Sequence, residues 1–186
     1  MRLFTGISID PQVLNALKRA LAELRPTARL KWSPVENLHI TTKFIGEWPE
    51  ARLPELETAL ARVEGPGDIR IDISRFGFYP NPHRPRVFFA GVHGGEELPD
   101  LARRIDDAVA ALGVAREDRA YSPHLTLARI KTEDIRGLRE HIASMTNFNF
   151  GSFTAIDFHL YLSTPGKEGS VYTTLASYPL ARPTSL

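Results

Sequence analysis

A chain of 186 residues, 42% hydrophobic and 24% charged, is long enough to bury a sizeable apolar interior and too apolar to be mainly disordered. Lys and Arg number 23 against 22 Asp and Glu, a net charge of +1, so no global field draws the chain to nucleic acid and any anionic ligand must be held locally. Without cysteine there are no thiol nucleophiles, disulfides or Cys-ligated metal sites, and the lack of a signal-peptide pattern or a run of roughly 20 apolar residues reads as a cytoplasmic protein without a membrane partner.

Arg2 to Ile9 is a short β-rich run, and Asp10-Pro11 follows it as an N-cap with proline at the first helical position. Val13, Leu14, Leu17, Leu21 and Leu24 then recur at helical spacing until Pro26 stops them. Leu30 to Ser33 reads as a short strand, Pro34 to Asn37 as a turn, and Leu38 to Ile45 as a strand closed by Gly46 and Pro49. Strand parity puts Leu38, Ile40, Thr42 and Phe44 on one face and His39, Thr41, Lys43 and Ile45 on the other.

A helix on Leu56, Leu60 and Val63 is broken by Gly65-Pro66-Gly67, and Ile69, Ile71 and Ile73 alternate as a strand. Gly77 to Pro85 reads as a loop and Arg86 to Val92 as a strand. Leu98, Leu101, Ile105, Val109 and Leu112 mark a long amphipathic helix ending at Gly113. A strand from His124 to about Ile130 follows, then a short helix capped by Thr132-Glu133-Asp134 and reaching about Ala143. Phe148 to Leu162 and Val171 to Leu180 read as two closing strands. The order predicts an α+β fold in one domain, 1–186, made of two similar lobes, each half of the sequence holding one of the strands that carry His39 and His124.

Those strands carry the chemistry. His39 and Thr41, and 85 residues later His124 and Thr126, are two apart on a strand, so each pair points to one face. A lone His-x-Thr is weak, since about 0.4 such pairs arise by chance in this composition; for either histidine alone the alternative is a half-buried imidazole bonded to a neighbour. The other four, His83, His93, His141 and His159, are read that way. Neither motif has a carboxylate on its strand face, so no metal or other cofactor is called for. Two imidazoles can share general acid and general base roles near neutral pH, and two hydroxyls can donate to phosphate oxygens. No Gly-x-Ser-x-Gly elbow or Walker-type loop is present.

With NLHITTKFIGE, SPHLTLARI, the opening MRLFTGISID, RFGFYPN…RPRVFFAGV and the closing LYLS…GSVYTTL, the sequence resembles the two-histidine (2H) phosphoesterase superfamily. Within it, the likeness is to the bacterial RNA 2′,3′-cyclic phosphodiesterases, also called 2′-5′ RNA ligases (LigT/ThpR-like). The resemblance implies a bilobal fold with pseudo-twofold symmetry, two antiparallel sheets facing a central cleft, and helices packed outside. It implies that His39 is the general acid on the 3′ leaving oxygen of a terminal 2′,3′-cyclic phosphate and His124 the general base on water, leaving a 2′-phosphate. It further implies that Thr41 and Thr126 hold phosphate oxygens, that Phe44 stacks on the terminal base and that Arg129 binds phosphate. The same site run backwards would join a 5′-hydroxyl to the cyclic phosphate.

Phe44 and Arg129 conflict with ideal parity, since five residues along a strand lies on the opposite face. Either a bulge or strong twist re-aims them, or they reach the ligand from the strand ends, or Phe44 is core and Arg129 a surface charge. Tyr172, Tyr79 and Arg86 could line the cleft on the resemblance alone. The partners implied are RNA ends, tRNA fragments or small cyclic nucleotides, met by a monomer. The rival readings are a non-catalytic RNA-end or tRNA-binding module, and an enzyme for another cyclic phosphate or 2′-5′ oligoadenylate.

Overall fold

Asp10 begins the first helix as its sequence dictates, its carboxylate accepting the Gln12 N–H at 2.8 Å, with Pro11 at the first position. The computed structural model describes residues 1–131, 134–167 and 169–181. In chain order it contains β1 (Arg2–Ser8), α1 (Pro11–Leu24), β2 (Lys31–Trp32), β3 (His39–Glu47), α2 (Leu53–Ala61), β4 (Ile69–Tyr79) and β5 (Val87–His93). These are followed by α3 (Glu97–Ala110), β6 (His124–Arg129), α4 (Arg136–Ser144), β7 (Asn149–Ala155), β8 (Asp157–Gly166) and β9 (Gly169–Pro179). Among the described residues no helix is long and apolar enough to cross a membrane.

The strands form two antiparallel sheets, ordered β3-β1-β8-β9 and β2-β6-β5-β4-β7. Helices cover one face of each: α3 packs on β3 and α2 on β9, while α1 packs on β7 and α4. The leucines of α1, Leu17, Leu21 and Leu24, join Ile40, Leu125, Leu127, Ile69, Ile71 and Ile105 in one continuous apolar cluster. The half-buried His39, Thr41, His124 and Thr126 lie on the opposite, helix-free faces.

Sequence halves and sheets do not coincide. β4 and β5 join β6, and β8 and β9 return to pair with β1, so each sheet takes strands from both halves. Phe148 to Leu162, expected as one strand, is two: β7 pairs with β4 and β8 with β1. The chain changes sheets at Ile156, which is 60% exposed; without Gly or Pro there, nothing in the sequence marks the break. β4 continues through Gly77 to Tyr79, where a loop was expected, because β5 continues to supply partners up to Val87. β3 likewise runs past Gly46, whose φ of +82° carries it through an irregularity in its pairing with β1 instead of ending it. Of the expected cap on α4, Thr132 and Glu133 lie outside the described residues, whereas Asp134 accepts the Arg136 N–H at 2.9 Å.

Candidate active site

On β1, Ser8, Gly6 and Phe4 alternate onto one face, and their partners on β3 are His39, Thr41 and Phe44. Two residues on β1 are matched by three on β3 because Thr42 is an extra residue, a β-bulge. β6 repeats the device. Gly91, Phe89 and Val87 of β5 oppose His124, Thr126 and Arg129, with Leu127 as the extra residue. Both strands therefore show two consecutive buried residues, Thr42-Lys43 and Leu127-Ala128, followed by an exposed one. The bulges return Phe44 and Arg129 to the face of the histidines, which ideal parity denied them. Phe44 is 60% exposed and so is not core.

The same bulge overturns the expectation for Lys43 and Ile45, both placed by parity beside His39. Ile45 is buried. Lys43 turns inward, where its ammonium meets Asp106 of α3 at 2.5 Å and donates to the Ala115 carbonyl at 2.7 Å. Next to it the buried Thr5 and Thr42 hydroxyls bond each other at 2.8 Å. Gly6 is required here, since a Cβ on it would meet the Ile40 carbonyl oxygen at 2.7 Å and the His39 ring at 3.5 Å.

Each histidine is anchored in the same way. His39 Nδ1 lies 2.7 Å from the Asn37 carbonyl and His124 Nδ1 2.8 Å from the Ser122 carbonyl. A carbonyl can only accept, so Nδ1 carries the proton in both and Nε2 is left for chemistry. His39 Nε2 is 3.0 Å from the Thr41 hydroxyl, which donates to it when the ring is neutral.

Around the rings the two sites differ. Phe4 lies 4.6 Å from His39 between ring centroids, Tyr172 is edge-on at 5.1 Å and Tyr161 is at 6.0 Å. His124 meets Phe89 at 5.5 Å. Burial pushes the His39 imidazole below its ordinary value; the bond to Asn37 opposes this, and the charge of His124 adds to it. The two histidines thus lie near enough for one charge to act on the other, on strands β3 and β6 that contact each other.

The two motif strands are also clasped to each other. The Tyr121 hydroxyl, three residues before His124, donates to the Thr41 carbonyl at 2.8 Å. Reciprocally, the Ser33 hydroxyl, ahead of β3, donates to the Thr126 carbonyl at 2.8 Å. Burial raises the Tyr121 phenol far above its usual range, which keeps it a donor at every physiological pH. Each motif threonine thus has its carbonyl held by the segment that leads into the other motif. Sequence reasoning passed over Tyr121, Ser33, Phe4 and Gly6; the alternation Phe4, Gly6, Ser8 in the first strand was the available signal for two of them.

Tyr172 does contact His39, and Tyr79 lies in register with Val87 and Arg129, its hydroxyl accepting from Arg119 at 2.8 Å. Arg86 instead donates to the Lys131 carbonyl at 3.5 Å. His159 is bonded to Ser177 at 2.8 Å and Ser8 at 3.3 Å, a satisfied strand histidine. Among the described residues no three His, Asp or Glu are grouped to hold a metal ion. Two further concavities, around Ala59, Val63 and Arg104 and around Leu14, Lys18 and Trp32, include neither histidine. The first carries Glu64 and Asp107 among three arginines and the second Glu36 with Lys18 and Arg25; neither joins an imidazole to a hydroxyl as the paired His-x-Thr strands do.

A fold with two bulged His-x-Thr strands clasped to each other defines a class, and the comparisons identify it. The model of the LigT like Phosphoesterase family matches residues 7–89 and 92–172, each stretch containing one motif. The chain belongs to this family. A protein of Archaeoglobus fulgidus named RNA 2′,3′-cyclic phosphodiesterase is 32% identical over 94% of this chain and 98% of its own. One of the same name from Thermus thermophilus is 33% identical over 97% and 90%. Among solved structures, TT0787 of Thermus thermophilus superposes with a TM-score of 0.81 at 30% identity, covering 97% and 98% of the two chains. E. coli LigT, solved with 3′-AMP, shares the fold with a TM-score of 0.80 at 24% identity over 97% and 98%.

Proposed function

We propose that the protein is an RNA 2′,3′-cyclic phosphodiesterase that opens a terminal 2′,3′-cyclic phosphate to a 2′-phosphate. The observation that carries this is the pair of matched half-sites, each with a histidine pinned through Nδ1 and a threonine beside it on one face. His124 Nε2 takes a proton from water as the water oxygen bonds to phosphorus. The P–O3′ bond breaks, and His39 Nε2–H delivers its proton to the departing 3′ oxygen. Thr41 and Thr126 donate to the non-bridging oxygens, the Arg129 fork balances their charge, and Phe44 stacks on the terminal base.

The lowered pKa of His39 favours the neutral ring in the empty cleft, the wrong state for an acid. An anionic phosphate placed against it stabilises the imidazolium and restores the acid form. Thr41 then exchanges its bond to Nε2 for one to a phosphate oxygen. No step in this sequence calls on a metal ion or cofactor. Because one chain supplies both half-sites, it works as a monomer, on RNA ends, tRNA fragments or small cyclic nucleotides. Run backwards, the site joins a 5′-hydroxyl to the cyclic phosphate in a 2′-5′ linkage.

The test is incubation of an RNA oligonucleotide ending in 2′,3′-cyclic phosphate, with a chelator present, and separation of the 2′- and 3′-phosphate products. The expected outcome is 2′-phosphate alone. Tight binding without turnover would make the protein a binding module, and loss of turnover with chelator would overturn the metal-free mechanism.

A further inference from the structure

β2 is a two-residue edge strand, and its register with β6 sets Lys31 directly opposite Arg129. Residues opposite each other in an antiparallel pair share a face with their side chains adjacent. The bulge at Leu127 puts Arg129 on the His124 face, so Lys31 is on that face too. Across the sheet the row reads Lys31, Arg129, Val87 and Tyr79, with Arg119 bonded to the Tyr79 hydroxyl. It contains no acidic residue. Both Lys31 and Arg129 are exposed, and among the described residues neither side chain has a hydrogen bond or ion pair.

Two like charges directly opposite on a sheet face repel each other, and in a chain of net charge +1 nothing global calls for them. A lysine on an edge strand has a bland use, since it discourages pairing with another chain. That use does not require it to be opposed by a second, unpaired cation on the cleft side. The Thr126 row and the Arg129 row are separated on β5 by the step from Phe89 to Val87, two strand residues or about 7 Å. This is the scale of the spacing between neighbouring phosphates of one nucleic-acid strand.

We infer that Lys31, one strand outside Arg129, forms a second phosphate subsite that takes the phosphodiester on the 5′ side of the terminal nucleotide while Arg129 stays on the cyclic phosphate, making the preferred substrate class a polynucleotide end over a lone cyclic nucleotide. The inference rests on the proposed phosphodiesterase reading. With the cyclic phosphate between the two histidines, an RNA chain leaves the cleft over this row. Lys31 touches that chain only where a further phosphate exists.

The experiment compares adenosine 2′,3′-cyclic phosphate with a dinucleotide that carries the same cyclic end and one 5′ phosphodiester, using wild type, Lys31→Gln and Lys31→Arg. For Lys31→Gln, kcat/KM on the dinucleotide should fall about five-fold, the upper range for one exposed ion pair, with the cyclic mononucleotide unchanged. The salt dependence of log(kcat/KM) on the dinucleotide should flatten by about 0.7, one phosphate contact on a single strand. Lys31→Arg should restore both. Equal loss on both substrates, or none on either, would overturn the subsite and leave the phosphodiesterase standing. If wild type turned over neither substrate, the phosphodiesterase reading itself would fail.

Discussion

The two half-sites share a scaffold and differ in what surrounds it. His39 and His124 are both anchored through Nδ1 to the carbonyl two residues upstream, and both strands bulge three residues after the histidine. Yet His39 stands among Phe4, Tyr161 and Tyr172, with Phe44 as the next outward residue, whereas β6 presents Arg129 beside Lys31. One half offers aromatic surface and a desolvated imidazole, the other offers positive charge. The fold repeats the geometry that aims each His-x-Thr pair and leaves the flanking positions free to differentiate, a division that suits the proposed substrate, with its apolar base and anionic backbone.

The sharpest way to break this contrast is at the bulge of β3, which alone rests on a buried ion pair. Replacing Lys43 by Met removes the buried partner of Asp106 and should cost about 1.5–3 kcal/mol, read as a lower urea midpoint. Asp106 then retains Arg116 at 3.5 Å and the Glu117 N–H at 3.3 Å. An unchanged midpoint would mean that the pair does not hold the bulge.

Arg129→Met should lower kcat/KM about 10- to 100-fold, the value of a hydrogen bond to a charged group. Phe44→Ala should instead act through the base. Its loss, about 5- to 150-fold, should appear in KM and vanish with a cyclic phosphate that lacks a base. Equal behaviour of the two variants on both substrates would erase the distinction between the halves.

The smallest effect concerns pH. The singly protonated histidine pair is the active form, so kcat/KM should fall on the acid side as the pair takes up a second proton, and the lowered His39 imidazole draws that limb below the ordinary value of 6.5. Tyr172→Leu relieves the desolvation and should move that limb upward toward 6.5. In stability the sign is the same: the unfolded chain binds this proton first. The contribution of neutral His39 is therefore present above 6.5 and lost as pH falls through its lowered value. A limb that stayed in place in Tyr172→Leu would remove the aromatic wall as the cause.

Period-2 alternation made the two motif strands and their His-x-Thr faces legible, and the caps and breakers around α1 and α3 fixed those helices closely. The bulges were legible only as one of several ways to reconcile Phe44 and Arg129 with strand parity, and their positions at Thr42 and Leu127 were not, because an extra residue leaves no mark in the alternation. Lys43 illustrates the cost: parity sends it to the cleft, and only Asp106, 63 residues later, explains its burial. The exchange of strands between sheets was hidden for a related reason. Ile156 is apolar in an apolar run, and only the pairing partners of β7 and β8 reveal that the chain changes sheets there.

The most direct test of two half-sites acting on one phosphate is the turnover of a 2′,3′-cyclic RNA end by His39→Ala, His124→Ala and the double variant. Each single variant should lose at least about 10²-fold in kcat. The double variant should lose little more, because residues that act as a unit are not additive. A single variant with wild-type turnover, or losses that simply multiply in the double, would contradict a shared acid–base mechanism.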